Sequence, residues 1–369
     1  MRILHLYKTH LLEEPGGVAR CVDQLAQGTS AHGHEVDVLF LSRGPARAPI
    51  SFGNYTAHPV PMNCELSSTG ISLSLFSKFS KLARKADLIH YHFPWPMMDV
   101  VHFTTRICKP SIVTYHSDVV RQRYMLTLYR PLMERFLKSV DRIVATSPNY
   151  RETSDVLRRY GEKTTVIPIG VDQSSYPVPS TDALNHWRAR LGDSFFLFVG
   201  MLRYYKGLHV LLESARDVGF PIVIAGAGPF EQKLRVHAKH LGLNNVAFLG
   251  SVPEEDKAAL FSLCSAVVFP SNIRSEAFGI SLVEGAMYGK PLISTEIGTG
   301  TSFINVHGET GLVVPPSDPA ALAHAMNYLI ENRSVARKMG QGARSRYERQ
   351  FTGVTMVQQY LDLYQRMLT

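Results

Sequence analysis

Two carboxylates eight positions apart, Glu276 and Glu284, frame the stretch SEAFGISLVEGAMYGKP, residues 275–291. With Ser275 to Ala277 as a loop and Phe278 to Tyr288 as a helix, the spacing sets Glu284 roughly 8 to 12 Å along the helix axis from its start. Such a pair cannot share one proton as a catalytic dyad. It can bracket a diphosphate, one carboxylate accepting hydrogen bonds from a sugar and the other from a ribose, which is the layout of a nucleotide sugar. The N–H groups of Phe278, Gly279 and Ile280 open the helix without internal partners and offer an anion site. The competing reading, a buried helix with one accidental Glu, leaves a carboxylate out of water without a partner, which is costly.

Other loops supply complementary chemistry. FVGMLRYYKG is a strand, a turn at Gly200, then Arg203 and Lys206, two cations suited to a departing diphosphate. Solvated loop cations are the plain alternative. EEPGGVAR places Gly16 and Gly17 ahead of a helix whose N–H groups suit an anion, although a purely structural turn has the same look. It is not GxGxxG, and Leu41, Ser42 and Arg43 stand where a dinucleotide site needs an acid, so that site is disfavoured. Gly226 and Gly228 in IAGAGP permit close backbone approach to phosphate or ribose. Backbone groups near Ser251 and Val252 in LGSVPEED are placed to read a base edge. His116 ends the strand SIVTYHS, where it can donate to a substrate oxygen, but His90 and His92 share its context, and each can equally be a structural histidine.

The elements that must hold these loops follow from the pattern of the chain. At 369 residues, 45% hydrophobic and 19% charged, it has the size and balance of two globular domains. Strands such as RILHLY, EVDVLFLS, DLIHYH and DRIVATS alternate with helical stretches, and the alternation restarts at FFLFVG, so an α/β fold of two doubly wound domains is expected. The first spans 1–176 and the second 177–352, with Pro177 and Pro179 in the linker. The amphipathic segment 353–369 crosses back to the first. Open parallel sheets bind ligands at the carboxyl ends of their strands, so two facing domains would share a cleft there.

Composition narrows the class further. No run approaches the length of a membrane span, and the N-terminus lacks a signal-peptide core, so a cytoplasmic protein is expected. Four cysteines without CxxC spacing read as buried thiols, neither disulfides nor a zinc site. The net charge of +8 sits mostly in the N-terminal half and implies an anionic partner there or a solvated basic face.

Taken in order, PGGVAR, TYHSD, VIPIGVD, FVGMLRYYKG, IAGAGP, the Glu pair and ETGLVVPPSDPAALAHAM resemble the retaining glycosyltransferases of family 4 over essentially the whole chain. The resemblance implies the GT-B fold of two Rossmann-like domains. By position, Glu276 would hold donor sugar hydroxyls, the Phe278 and Gly279 amides its phosphate or sugar, and Glu284 the ribose. Arg203 and Lys206 would stabilise the departing diphosphate, His116 would contact the sugar, and Gly16 and Gly17 would close over the phosphates. Family members commonly carry arginine directly after the loop glycine, where this chain has Met201, so Arg203 would have to substitute. The chemistry would retain anomeric configuration, with the leaving phosphate taking the acceptor proton. No Asp-x-Asp pair is present, and cations and helix ends would neutralise the diphosphate, so neither a metal nor another cofactor is expected.

LRYYKG and STEIGTGTSFIN are similar to bacterial enzymes of surface-polysaccharide assembly that use GDP-mannose or a related GDP-sugar, with UDP-sugars as the alternative. The basic, aromatic-containing stretches Ser74 to Lys85 and Arg121 to Ser139 could rest on the anionic inner face of the cytoplasmic membrane and present a lipid-linked glycan acceptor, or be ordinary helices with basic outer faces. No nucleic-acid motif appears. A nucleotide-sugar epimerase, a sugar phosphorylase and a non-catalytic sugar sensor are the competing functions.

Overall fold

A computed structural model of the protein describes residues 1–14, 16–45, 47–66, 69–119 and 123–369. Pro15 of the first loop and Arg121 of the second basic stretch lie outside the described residues. The chain forms two compact units: unit 1 is Met1–Gly170 with Gly353–Thr369, and unit 2 is Val171–Thr352.

Among the described residues of unit 1, an eight-stranded sheet is built from β1 (Arg2–Leu6), β2 (Glu35–Ser42), β3 (Ile50–Phe52), β4 (Tyr55–Pro61), β7 (Leu88–Phe93), β8 (Ser111–Tyr115), β9 (Arg142–Ala145) and β10 (Thr164–Val166). Its order is β10-β9-β8-β7-β1-β2-β4-β3, parallel except for the β3–β4 pair, and β5 (Cys64–Leu66) with β6 (Thr69–Ile71) makes a separate antiparallel pair. Unit 2 holds an all-parallel sheet of β11 (Phe196–Val199), β12 (Ile222–Ala225), β13 (Val246–Gly250), β14 (Ala266–Phe269), β15 (Leu292–Thr295) and β16 (Gly311–Val314) in the order β13-β12-β11-β14-β15-β16. Short apolar runs such as Ile222–Ala225 and Ala266–Phe269 are buried throughout, because crossover helices cover both faces of a parallel sheet.

The strands β3 to β6 are not evident in the sequence. β4 contains Pro59 and Pro61, which argue against a central strand. The N–H of Met62 points to Ser42 on β2, so the alternate positions 59 and 61 face the β3 side. β3 pairs only with Tyr55–Ala57, and the two prolines fall beyond it, where no N–H is needed.

The division after Gly170, rather than after residue 176, has a physical cause. Val171 donates its N–H to Phe351 O at 2.8 Å, the Tyr347 hydroxyl donates to Val171 O, and Arg344 reaches Gln173. These bonds fasten the segment to unit 2. The last helix, Gly353–Leu368, packs in unit 1 against the helix Gly17–Ala31.

Two sequence expectations are corrected here. Cys21 and Cys264 are buried, but Cys64, on the β5–β6 pair, and Cys108, in the loop before β8, are exposed, all four as free thiols. The helix expected over Phe278 to Tyr288 runs Ile280–Met287, because Gly279 takes φ 103° and stops it short. Among the described residues no helix is long and apolar enough to cross a membrane.

Candidate functional site

The carboxyl ends of β11, β12, β14 and β15 gather most of the candidate residues of unit 2. Gly207, at φ 65°, is required in the first of these loops, because a Cβ there would meet Pro270 O at 1.9 Å. That close approach, with the bond from Asn272 N to Tyr205 O, fastens the loop after β11 to the loop after β14. It brings Lys206 Nζ to 2.5 Å from Glu276 Oε2. The ammonium also lies 4.6 Å from the centre of the Phe269 ring, an apolar wall that strengthens the pairing. Ser271 donates to the same carboxylate oxygen at 3.4 Å. Burial pushes the Tyr205 hydroxyl pKa up, and the Glu276 charge adds to it.

Glu284 sits four residues into the helix Ile280–Met287, about 6 Å along its axis. Its Oε1 accepts from the Tyr176 hydroxyl at 2.7 Å and from Lys257 Nζ at 3.0 Å. Lys257 is only 7% exposed, bridges to Glu254 at 2.7 Å, and lies over the Tyr176 ring. The two glutamates therefore share a design. Each has one oxygen held by a lysine, Lys257 buried and Lys206 partly so, and among the described residues the other oxygen, Oε1 of Glu276 and Oε2 of Glu284, accepts no hydrogen bond. The helix between them is anchored by Ser281, whose hydroxyl donates to Val199 O at the end of β11.

The remaining expected residues divide. Arg203 is exposed, and its Nε lies 2.9 Å from Met201 Sδ, so it does not join Lys206 at Glu276. Gly226 and Gly228 do serve a close approach, but to protein: their Cβ atoms would meet Gly200 O at 2.0 Å and Leu202 O at 2.5 Å. Phe278 is buried, with its ring edge-on to Phe351, so only its backbone can face a ligand. Ser251 is exposed and Val252 partly so, after β13. Arg274, which the sequence did not single out, donates to the carbonyls of Ile297 and Gly298 and ties the loop after β15 to that after β14.

In unit 1, Gly16 caps the helix Gly17–Ala31 in extended conformation, with open space where a Cβ would stand. His116 follows β8 and is not isolated: His5, His90 and His92 lie beside it, all buried. Burial lowers the pKa of His5 and of His116 to about 3, and holds His90 and His92 well below the usual histidine range. His5, His90 and His92 are close enough for a metal, but both nitrogens of His90 are engaged, with the Tyr364 and Thr114 hydroxyls at 2.7 Å. The cluster is a neutral hydrogen-bonding group.

The basic helices are amphipathic in the ordinary sense. Leu75, Phe79 and Leu82 of Ser74–Lys85 are core residues, and Lys81, Arg84 and Lys85 face outward. In Arg123–Ser139, Met133, Phe136 and Leu137 are buried, and Glu134 pairs with Arg130 and Arg159.

Comparison with known proteins places this architecture. The family described as "Glycosyl transferases group 1" matches residues 181–346, and "Glycosyltransferase Family 4" matches residues 15–175. The chain is 57% identical to D-rhamnosyltransferase WbpZ of Pseudomonas aeruginosa, over 95% of this chain and 92% of that protein. The chain belongs to glycosyltransferase family 4. The transferase is also 46% identical to O-antigen chain mannosyltransferase C of Escherichia coli, over 100% of this chain and 99% of that one. Among solved structures it matches sucrose-phosphate synthase from Thermosynechococcus elongatus with TM-score 0.82 at 22% identity, covering 99% of this chain and 98% of that one. WaaG, a glycosyltransferase involved in lipopolysaccharide biosynthesis, matches with TM-score 0.70 at 16% identity, covering 98% and 99%. The glycosyltransferase thus has the GT-B fold expected from its sequence motifs.

Proposed function

We propose that this glycosyltransferase moves mannose or a closely related sugar from a GDP-sugar onto a lipid-linked glycan in surface-polysaccharide synthesis, with retention of configuration. The observation that carries the reading is the lysine-held pair of carboxylates, each presenting one oxygen able to accept from a hydroxyl. Glu276 takes sugar hydroxyls and Glu284 the ribose. Lys206 donates to the diphosphate as the bond to the departing nucleotide breaks, with Arg203 as a more distant second cation. The N-terminus of Ile280–Met287 adds its positive end, so the reaction needs no metal. The acceptor hydroxyl gives its proton to a leaving phosphate oxygen and attacks from the same face.

His116 donates to the sugar, the helix after Gly16 and Gly17 meets the phosphates, and backbone groups at Ser251 and Val252 read the base. The sugar class is supported by two relatives named for D-rhamnose and mannose transfer, because D-rhamnose is 6-deoxymannose. The outward cations of Ser74–Lys85 hold the enzyme peripherally on an anionic cytoplasmic membrane face near its acceptor.

The deciding experiment is thermal unfolding with GDP, UDP, ADP and dTDP in parallel. A ligand at 100 times its dissociation constant stabilises by about 2.7 kcal/mol. Stabilisation by GDP alone, followed by turnover of GDP-mannose or GDP-D-rhamnose that EDTA leaves unchanged, is expected. Stabilisation by UDP alone would replace the donor and keep the transferase; no response to any nucleotide would remove the assignment of Glu276 and Glu284.

A further inference from the structure

Three imidazoles cross the middle of the unit 1 sheet in one hydrogen-bonded line. His5 Nδ1 lies 3.1 Å from His92 Nε2, and His92 Nδ1 lies 3.0 Å from His116 Nε2. The ring planes are inclined by only 22° and 19°, with centroids 5.4 and 5.3 Å apart. Each centroid separation is the N···N distance plus a ring radius at either end, so the rings meet edge to edge in nearly one plane. Both contacts are therefore linear N–H···N bonds. His90 differs: its centroid is 4.3 Å from that of His92, a face-on contact, and it walls the line without joining it.

Strand register builds the array. His5 pairs with His90 across β1 and β7, and His92 pairs with Thr114 across β7 and β8, with His116 two residues further on. Each link moves one strand sideways and two residues forward, which keeps all three rings on one face.

A neutral imidazole has one N–H and one lone pair, so both links form only if all three rings carry the same tautomer. The two end atoms, His5 Nε2 and His116 Nδ1, are buried without a hydrogen-bond partner among the described residues. An unpaired buried donor is rarer than an under-used acceptor. His5 is fully buried and His116 is 6% exposed, at the end of its strand. The bare lone pair is assigned to His5, and the proton to the buried Nδ1 of His116, at the end of the line nearer the strand terminus. Among the described residues no carboxylate or cationic side chain biases the rings; burial and the imidazoles themselves keep them neutral, with Tyr7 beside His92 and His116 and with Tyr360 and Tyr364 around His90.

We infer that His5 and His92 are positioning residues that lock His116 as a neutral Nδ1–H donor, the tautomer histidine disfavours in water, and so set the form in which it donates to an oxygen of the transferred sugar. The inference rests on the reading of His116 as a sugar contact.

The test is ring-nitrogen NMR of the full-length protein labelled with 15N-histidine, together with turnover of GDP-mannose. At neutral pH, His5, His92 and His116 are expected all as Nδ1–H; a shared Nε2–H form or a mixture overturns the lock. His5→Leu removes the terminal donor. It should lower the Nδ1–H population of His116 and reduce kcat about fivefold with KM for the donor unchanged, the effect of losing one ordinary hydrogen bond. His5→Asn, whose amide N–H stands near the former Nδ1, should restore both. Unchanged tautomers and turnover in His5→Leu would refute the positioning role. Full turnover by His116→Ala would instead remove the sugar contact while leaving the tautomer result standing. Should His5→Leu fail to fold, the spectra of the unaltered protein decide alone.

Discussion

Unit 2 gathers charge at the carboxyl end of its sheet, where Lys206 meets Glu276 and Lys257 meets Glu284, whereas unit 1 fills the corresponding end of its own with neutral imidazoles. Both sheets are largely parallel and both groups are largely shielded from water, so topology does not set the difference. The partners do. Each carboxylate of unit 2 has a lysine ammonium within 3.0 Å, a partner of opposite charge. A histidine surrounded by tyrosines and other histidines has no such partner and stays neutral. One end is equipped for charged and hydroxyl-rich ligands, the other for hydrogen bonds alone.

Removing Lys206 should break the comparison most severely. Lys206→Ala is expected to lower kcat by about 100- to 1,000-fold, the usual loss when one stabilising donor to a transition state is deleted. Arg203→Ala should cost far less, since its side chain lies apart from Glu276; steady-state kinetics of the two variants side by side check this. Lys257→Met strands Glu284 and should destabilise the protein by about 3 kcal/mol in urea unfolding, with most of that recovered in Lys257→Met/Glu284→Gln.

Acid sharpens the contrast between units. His5 and His116 titrate near pH 3 when folded and near the ordinary histidine value when unfolded, so the folded state binds fewer protons in that window. Their contribution is full above about pH 6.5 and is lost as pH falls, by about 1.4 kcal/mol per pH unit for each. Trp95 in unit 1 and Trp187 in unit 2 are both buried and report separately in single-tryptophan variants. The Trp95 transition should weaken from pH 6.5 downward while the Trp187 transition holds to about pH 5, where carboxylates begin to titrate. The smallest effect is expected from Tyr176→Phe, which removes one bond to Glu284 and should cost about 1 kcal/mol of stability.

The sequence made the loops after β11 and β14 legible because glycine, cation and carboxylate types are unusual together. It could not show Lys257. In EEDKAALF that lysine has the look of a solvated helix cation, and its partners Glu284 and Tyr176 are 27 and 81 residues distant. Gly226 and Gly228 signalled a close approach, but the approaching group is the backbone of Gly200 and Leu202, which only strand order reveals. The alternation in LIHYHF did place His90 and His92 on one face; that His5 and His116 line up with His92 depends on β1, β7 and β8 being neighbours.

The path of the chain through unit 1 also bears on its synthesis. Unit 1 is left at Gly170 and re-entered only at Gly353, with the whole of unit 2 between. Thr114 and His90 bond to Tyr360 and Tyr364 on the returning helix. On the ribosome, at about 5 to 20 residues per second, the first sheet waits roughly 10 to 40 seconds for those hydroxyls. Throughout that interval unit 2 can complete its own core, and the half of the enzyme made first is the half finished last.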